Sequence, residues 1–178
     1  IIPQTYYVDT INGNNATAQV GNINKPYKTI DAVLPFVVGV GTEVPIVELI
    51  TSGTYPINNQ MASSTSVSFR SQKKVVITFE SNPNANLWVY TIGGGTLEFL
   101  IPNGNIVFSN TVDQGFNSTA IKIVCNEFYS NYGTGAVFFN CGDASFFAKK
   151  ITTKRTVISV ISQSIVDFEC KNTIVNSA

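Results

Sequence analysis

Short apolar runs that alternate with polar residues dominate the second half of the chain. In 120–125 (AIKIVC), for example, Ile121, Ile123 and Cys125 alternate with residues such as Lys122. A period of two is the pattern of a strand that buries one face and exposes the other to solvent. The sequence therefore predicts short, half-buried β-strands from residue 97 onward.

Phenylalanines recur in this region at nearly constant spacing. Phe108, Phe128, Phe147 and Phe168 are separated by 20, 19 and 21 residues. Each lies in a strand-like run that follows a second apolar run, at 97–103, 120–125, 136–141 and 157–163. A two-strand unit of this kind cannot bury its apolar face alone. The pattern predicts units that stack through parallel strand pairing and share one core, with the four phenylalanines in a single inward column.

The earlier part of the chain follows the same scheme with looser spacing. Strands are predicted at 44–50, 66–70, 75–80 and 87–92, separated by Gly-, Asn- and Pro-containing turns. Residues 1–43 have a different pattern, with a predicted strand at 5–8 followed by an Asn/Gly-rich loop. After the loop, Ile30, Val33, Leu34 and Val37 have the spacing of an amphipathic helix. Pro35 should end or kink this helix. We expect an N-terminal cap at 1–43 and one continuous stack of rungs at 44–178, within a longer chain.

The N-terminal segment resembles the cap of a known superfamily. The matching residues are 6–9 (YYVD), 12–15 (NGNN), Gly21 and 25–33 (KPYKTIDAV). They are similar to the cap of pectate-lyase-like right-handed parallel β-helix proteins, which include polysaccharide lyases, polygalacturonase-like hydrolases and bacteriophage tailspikes and fibres. Asn15 stands where the usual loop has Asp. The resemblance implies an all-β, right-handed parallel β-helix with a strand-plus-helix cap, and the general preference of parallel crossovers supports that handedness.

The catalytic motifs of that superfamily do not occur in this sequence. The polygalacturonase-like Asn-Thr-Asp, Asp-Asp and Gly-His-Gly patterns are missing, and the chain has no histidine at all. Pectate lyases use clustered carboxylates to hold calcium and an arginine as base. Here Arg70 and Arg155 are the only arginines, and neither lies near an acidic cluster in the sequence. The resemblance therefore implies a scaffold and no catalytic residues.

Composition narrows the remaining classes of function. Eleven basic and eleven acidic side chains cancel, so no net positive charge favours nucleic acid or an anionic membrane. Without histidine the chain lacks the commonest general base and metal ligand. Cys125, Cys141 and Cys170 are widely spaced in or beside apolar runs, which predicts reduced core residues. We expect no cofactor and no metal.

The repeat alignment also suggests candidate functional residues on the outer wall. It predicts two outward columns, the first formed by Val107, Glu127, Phe146 and Asp167 and the second by Ser109, Tyr129, Ala148 and Glu169. Glu127 and Asp167 would lie two ladder spacings, about 9.6 Å, apart, which is at the upper limit of the separation between the two catalytic carboxyl groups of an inverting glycosidase. Charged side chains that simply face solvent on the strands are the simpler interpretation. An outward pair formed by Tyr129 and Phe146 would suit a sugar ring or a neighbouring subunit, whereas a shift of one residue would put Phe146 in the core.

The sequence thus predicts a carbohydrate-binding surface of Tyr129, Phe146, Glu127 and Asp167 and no catalytic site. Glu48 is interpreted as a surface charge. We expect a non-enzymatic virion protein, a β-helical segment of a phage tail, fibre or head fibre, in a virion or at an extracellular surface. Its expected partners are copies of itself in a trimer, other virion proteins and a surface polysaccharide. A polysaccharide-degrading enzyme or a carbohydrate-binding module is the alternative.

Overall fold

A computed structural model describes residues 4–37, 44–58, 61–63, 66–81, 89–91, 95–109, 114–132, 137–153, 156–160 and 166–175. In this part, one helix and twelve strands follow in the order β1 (Thr5–Val8), α1 (Ile30–Val37), β2 (Ile46–Leu49), β3 (Gly53–Ile57), β4 (Met61–Ser63), β5 (Val67–Arg70), β6 (Val76–Ser81), β7 (Val89–Thr91), β8 (Thr96–Ser109), β9 (Gln114–Tyr132), β10 (Val137–Thr153), β11 (Thr156–Val160) and β12 (Val166–Val175). The described chain is mostly strand, in agreement with the predicted all-β class. The strands form one curled, solenoid-like sheet in which the described pairings are parallel.

The strands pair in three rows, and the chain passes through these rows in the same order in successive windings. The first row holds β4, β7, 114–118, 137–141 and β11. The second row holds β1, β2, β5, 96–101, 120–125, 144–148 and 166–170. The third row holds β3, β6, 105–109, 127–130, 150–153 and 172–175. Strands β8, β9 and β10 are long because they turn a corner between rows without losing strand geometry.

This arrangement corrects the alignment of the repeat. A winding contains three strands, not two: Ile123 pairs with Phe146 and Phe146 with Phe168, which are 23 and 22 positions further along the chain. Phe128 pairs instead with Ile106 and Ile151, in another row. The predicted single column of phenylalanines is therefore wrong. A strand at 114–118 (QGFNS) was missed because its single apolar residue gives no period-two signal.

The interior between the rows is filled by aromatic rings from successive windings. Phe99 is fully buried, and its ring centroid lies 5.5 Å from that of Phe69, 5.3 Å from Phe79 and 5.5 Å from Phe116. Stacked and edge-on contacts at such distances add to the stabilisation from burial, which is about 1.5–3 kcal/mol for each ring. The parallel stack is thus held together by side chains that contact both the previous and the next winding.

The N-terminal loop covers the outer edge of β1. The Tyr27 amide donates to the Tyr7 carbonyl at 2.8 Å, the Asp9 amide donates to the Tyr27 carbonyl at 2.8 Å, and the Gly21 amide donates to the Thr5 carbonyl at 2.9 Å. These bonds satisfy backbone groups that would otherwise be open to another strand. The loop thus pairs with the outer edge of β1, and the cap expected over 1–43 stays a prediction.

Helix α1 lies at the start of the third row. The Thr29 hydroxyl accepts a hydrogen bond from the Ala32 amide at 3.3 Å, as an N-cap does. Asp31 accepts from the Asn58 amide at 3.0 Å and from Asn58 Nδ2 at 2.9 Å, which ties the helix to the end of β3. The helix was predicted to end or kink at Pro35, but it continues to Val37 because its apolar face is buried.

Two polar residues hold the loop against the first windings. Asn15 Oδ1 accepts from the Lys28 amide at 2.7 Å, so an amide oxygen serves as acceptor at the position where the similar caps carry Asp. Asp9 is only 5% exposed and accepts from the amides of Ile11 and Asn12, each at 2.9 Å, and from the Thr51 hydroxyl at 2.8 Å. Burial alone would raise the pKa of Asp9, but these hydrogen bonds outweigh it and lower the pKa below its usual value.

Candidate functional site

Outward side chains of two adjacent windings line a groove on the third row. Asn105 pairs with Glu127 and Val107 with Tyr129, and these four residues line a space of about 310 Å³. They alternate with buried residues such as Ile106, so the strand period forces them outward. We call this surface the lateral groove.

The lateral groove carries hydrogen-bond acceptors next to an apolar wall. Glu127 forms an ion pair with Lys150 of the next winding at 3.6 Å, and both side chains remain partly exposed. Asn105 Oδ1 is buried and is the one such side-chain oxygen without a hydrogen-bond partner in the described part of the chain. Because this oxygen has almost no exposed surface, a ligand in the groove does not reach it, and the acceptors that the groove presents are the carboxylate oxygens of Glu127. The groove can therefore accept hydrogen bonds from a neutral ligand while an apolar face lies on Val107 and Tyr129.

The structure brings together only two of the four predicted ligand-binding residues, Glu127 and Tyr129. Phe146 is 3% exposed, with its ring 5.0 Å from that of Phe128, so the prediction that it faces outward is wrong. The reason is the missed strand at 114–118, which shifts the alignment by a whole row, so that 144–148 was compared with 127–130 instead of with its true partner 120–125. The backbone of Asp167 pairs with Ser145 in the second row, so Asp167 shares no column with Glu127, and its side chain lies outside the described part.

Asn105 was missed by the sequence analysis, although it alternates visibly with Ile106. Val107 was predicted to face outward, but in the column of Glu127 and not in that of Tyr129. The predicted neighbour of Tyr129 was Phe146, and only the pairing of β8 with β9 reveals that Val107 occupies that place on the preceding winding. Glu169, which was predicted beside Tyr129, instead has its backbone paired with Phe147, and its side chain also lies outside the described part.

A second concave surface lies on the second row, beside the N-terminal loop. This cap cleft has a volume of about 360 Å³, and its walls include Ile23, Ile46, Ile50, Tyr7, Glu48 and Lys73. Ile23 comes from the loop, whereas the other residues come from or directly follow the first three strands of the row. The cleft therefore exists only because the loop stands next to the stacked strands.

Glu48 is the perturbed acid of the cap cleft. Burial raises the pKa of Glu48 above its usual value, although the Gln72 amide and the charges of Arg70 and Lys73 work in the opposite direction. The sequence interpretation of Glu48 as a plain surface charge is thus wrong, because its cross-strand partner Arg70 and the cleft walls enclose it. A carboxyl group with a pKa perturbed by burial, lying in a cleft, is a candidate for function.

Arg70 lies between two carboxylates. Its Nη2 is 3.8 Å from Glu98, its Nε donates to the Ser68 hydroxyl at 3.0 Å, and its backbone pairs with Glu48. Acidic neighbours that were distant in the sequence are therefore close in space. Arg70 therefore has a charged or polar partner on each side, Glu98 and Ser68 through its side chain and Glu48 across the strand.

Other kinds of site find little support in the described residues. No group of three or more His, Cys, Asp or Glu residues in the described part could hold a metal ion. Cys125 is buried, as predicted for a core residue, while the side chains of Cys141 and Cys170 lie outside the described part. The helix that the structure describes is too short to cross a membrane.

Comparisons of the chain with protein-family models, with curated proteins and with solved structures give no match. The residues of the groove and the cleft, together with the resemblance of the N-terminal segment, remain as the indications of a function.

Proposed function

We propose that this chain is a right-handed parallel β-helix and serves as a non-enzymatic structural and attachment segment of a virion fibre or tailspike. The supporting observation is the continuous apolar interior, in which Phe69, Phe99 and Phe146 occupy one column across successive windings of parallel strands. A stack of this kind is stiff and can be extended, which suits a fibre. Handedness follows from the resemblance of the cap and from the general preference of parallel crossovers.

Attachment would use the lateral groove as a glycan-binding surface. Tyr129 and Val107 offer a platform for the apolar face of a sugar ring, and the partly exposed carboxylate of Glu127 offers acceptors for its hydroxyl groups. Because Lys150 balances the charge of Glu127, a neutral sugar fits this surface better than a charged one.

A polysaccharide-degrading enzyme is the second candidate, and the described residues support it less. Glycoside hydrolysis requires two carboxyl groups that flank the scissile bond. The lateral groove contains one, Glu127, and it is already paired with Lys150.

A glycan array tests attachment and catalysis together. The chain should retain a neutral glycan, Tyr129→Ala should lose at least about tenfold in affinity, as stacking contacts of this kind suggest, and no shortened product should form. Phe147→Ala is the matched aromatic control, since Phe147 pairs with Val124 in the second row. Binding that survives Tyr129→Ala would remove the groove from the proposal, and released oligosaccharides would favour the enzyme.

The fibre role makes a separate prediction about assembly. If the chain forms a trimer, light scattering during size-exclusion chromatography should give a mass three times that of a single chain. A stable monomer would count against a fibre while leaving the glycan groove intact.

A further inference from the structure

We propose that the cap cleft is a binding site for a small organic anion with an apolar body, held by Lys73 and Arg70 and opposed by Glu48. This site lies in the second row beside the loop and is independent of the lateral groove in the third row. It therefore adds to the proposed glycan attachment and does not depend on it.

The size and walls of the cleft indicate the body of the ligand. A space of about 360 Å³ lies within the range of small-molecule sites and accommodates one ring with a short substituent. Ile23, Ile46 and Ile50 provide apolar walls, and Tyr7 adds an aromatic ring with a hydroxyl group. Ile23 is 50% exposed in the chain as it stands, so a ligand that covers it would remove apolar surface from water.

The charges of the cleft indicate the head group. Arg70 and Lys73 carry two positive charges against the single negative charge of Glu48, so the lining has a net charge of +1 when Glu48 is ionised. Glu98, on the far side of Arg70, engages one edge of the guanidinium at 3.8 Å. Lys73 is exposed and forms no ion pair with a described residue, so its ammonium group is available to a carboxylate, sulfate or sulfonate.

Glu48 makes the binding depend on pH. The groups that face it are Tyr7 on β1, Arg70 on β5, and the Gln72 amide and Lys73 beyond that strand, with Glu98 on β8 behind Arg70. Protonation of Glu48 raises the net charge of the lining from +1 to +2 and removes the one carboxylate that repels an anion. Affinity for an anion should accordingly increase as the pH falls through the pKa of Glu48, which burial has raised.

Isoleucine methyl groups provide a direct measurement of binding. In a chain labelled at Ile δ1-methyl groups, benzoate and benzenesulfonate at pH 7 should shift the NMR signals of Ile23, Ile46 and Ile50 but not those of buried Ile106 and Ile151. Benzyl alcohol, a neutral ring of similar size, should bind at least about fivefold more weakly, as the loss of charge pairing suggests. If only benzoate binds, the site selects carboxylates, and if both anions bind, it accepts anions of either kind.

Three variants separate the proposed site from non-specific attraction. Lys73→Gln should weaken benzenesulfonate binding about threefold, and Glu48→Gln should strengthen it and abolish its dependence on pH. Lys149→Gln makes the same change of charge at an exposed position on β10 and should leave binding unchanged. Benzenesulfonate stays ionised throughout, so its affinity for the unaltered chain reports on the protein alone. Equal binding of benzyl alcohol and benzoate, weaker binding to Glu48→Gln, or equal losses in the two lysine variants would overturn the proposal.

Discussion

Removal of the Asp9 carboxylate should release the N-terminal loop from the stacked strands. In Asp9→Ala, the amides of Ile11 and Asn12 and the hydroxyl of Thr51 lose their common acceptor. The Thr51 hydroxyl can turn to the Tyr55 hydroxyl, 3.3 Å away, and the Asn12 side chain is exposed to water. Two backbone donors therefore remain unsatisfied.

The expected magnitude follows from those two donors. An amide that loses its acceptor costs about 1–3 kcal/mol, and because Ile11 and Asn12 are exposed, water replaces part of each bond, so Asp9→Ala should lower the free energy of unfolding by about 2–3 kcal/mol. Asp9→Asn keeps one acceptor oxygen for the amides but loses the charge, and we expect a loss of about 1–2 kcal/mol. Glu80→Gln, at an exposed position of β6, is the matched control and should change stability by less than about 0.5 kcal/mol.

The effect should also depend on pH with a defined sign. Because the pKa of Asp9 is lower in the folded chain than in the unfolded chain, its ionised form stabilises the fold above the unfolded pKa, and this stability is lost as the pH falls through the folded pKa. The difference in the free energy of unfolding between the unaltered chain and Asp9→Asn should thus be largest near neutral pH and decrease in acid. Urea unfolding followed by circular dichroism measures it, and amide exchange at Asp9 and Gly13 reports on local opening of the loop. An Asp9→Ala loss no larger than that of Glu80→Gln would refute the reasoning.

The remaining predictions concern packing, backbone approach and charge. Phe146→Ala should destabilise by about 3–5 kcal/mol and Phe147→Ala by only about 1–2 kcal/mol in urea unfolding, and the reverse order would contradict the pairing of β10. Gly104→Ala should lower the free energy of unfolding by about 2–4 kcal/mol in the same measurement, because a Cβ there would lie 2.1 Å from the Val75 carbonyl oxygen. Unchanged stability of this variant would show that the backbone contact can relax. Glu48→Gln should raise the melting temperature at pH 7, since burial raises the pKa of Glu48 and its ionisation therefore disfavours the folded state, with no gain expected below the unfolded pKa. A gain that persisted in strong acid would point to packing as its cause.

The sequence by itself determined the class of the fold and the position of several elements. Alternation placed strands at Ile46–Leu49, Val67–Arg70 and Val76–Ser81, and helical spacing placed α1, because period two and period 3.6 are local properties that a short window reveals. It did not reveal β3, whose Pro56 argues against a strand. Proline is accepted there because β3 has only one described strand neighbour, β6, and lies at an edge.

Only the tertiary structure decided which residues share a wall. Inward and outward positions alternate along strands such as β8, so one undetected strand at 114–118 moved Phe146 from the wall to the core and separated Asp167 from Glu127. Both the lateral groove and the cap cleft join residues that are more than twenty positions apart in sequence and meet through strand pairing, as Val107 meets Tyr129 and Glu48 meets Arg70. Composition and periodicity carry no information about such pairings, because corner and loop lengths set the register and these vary from one winding to the next.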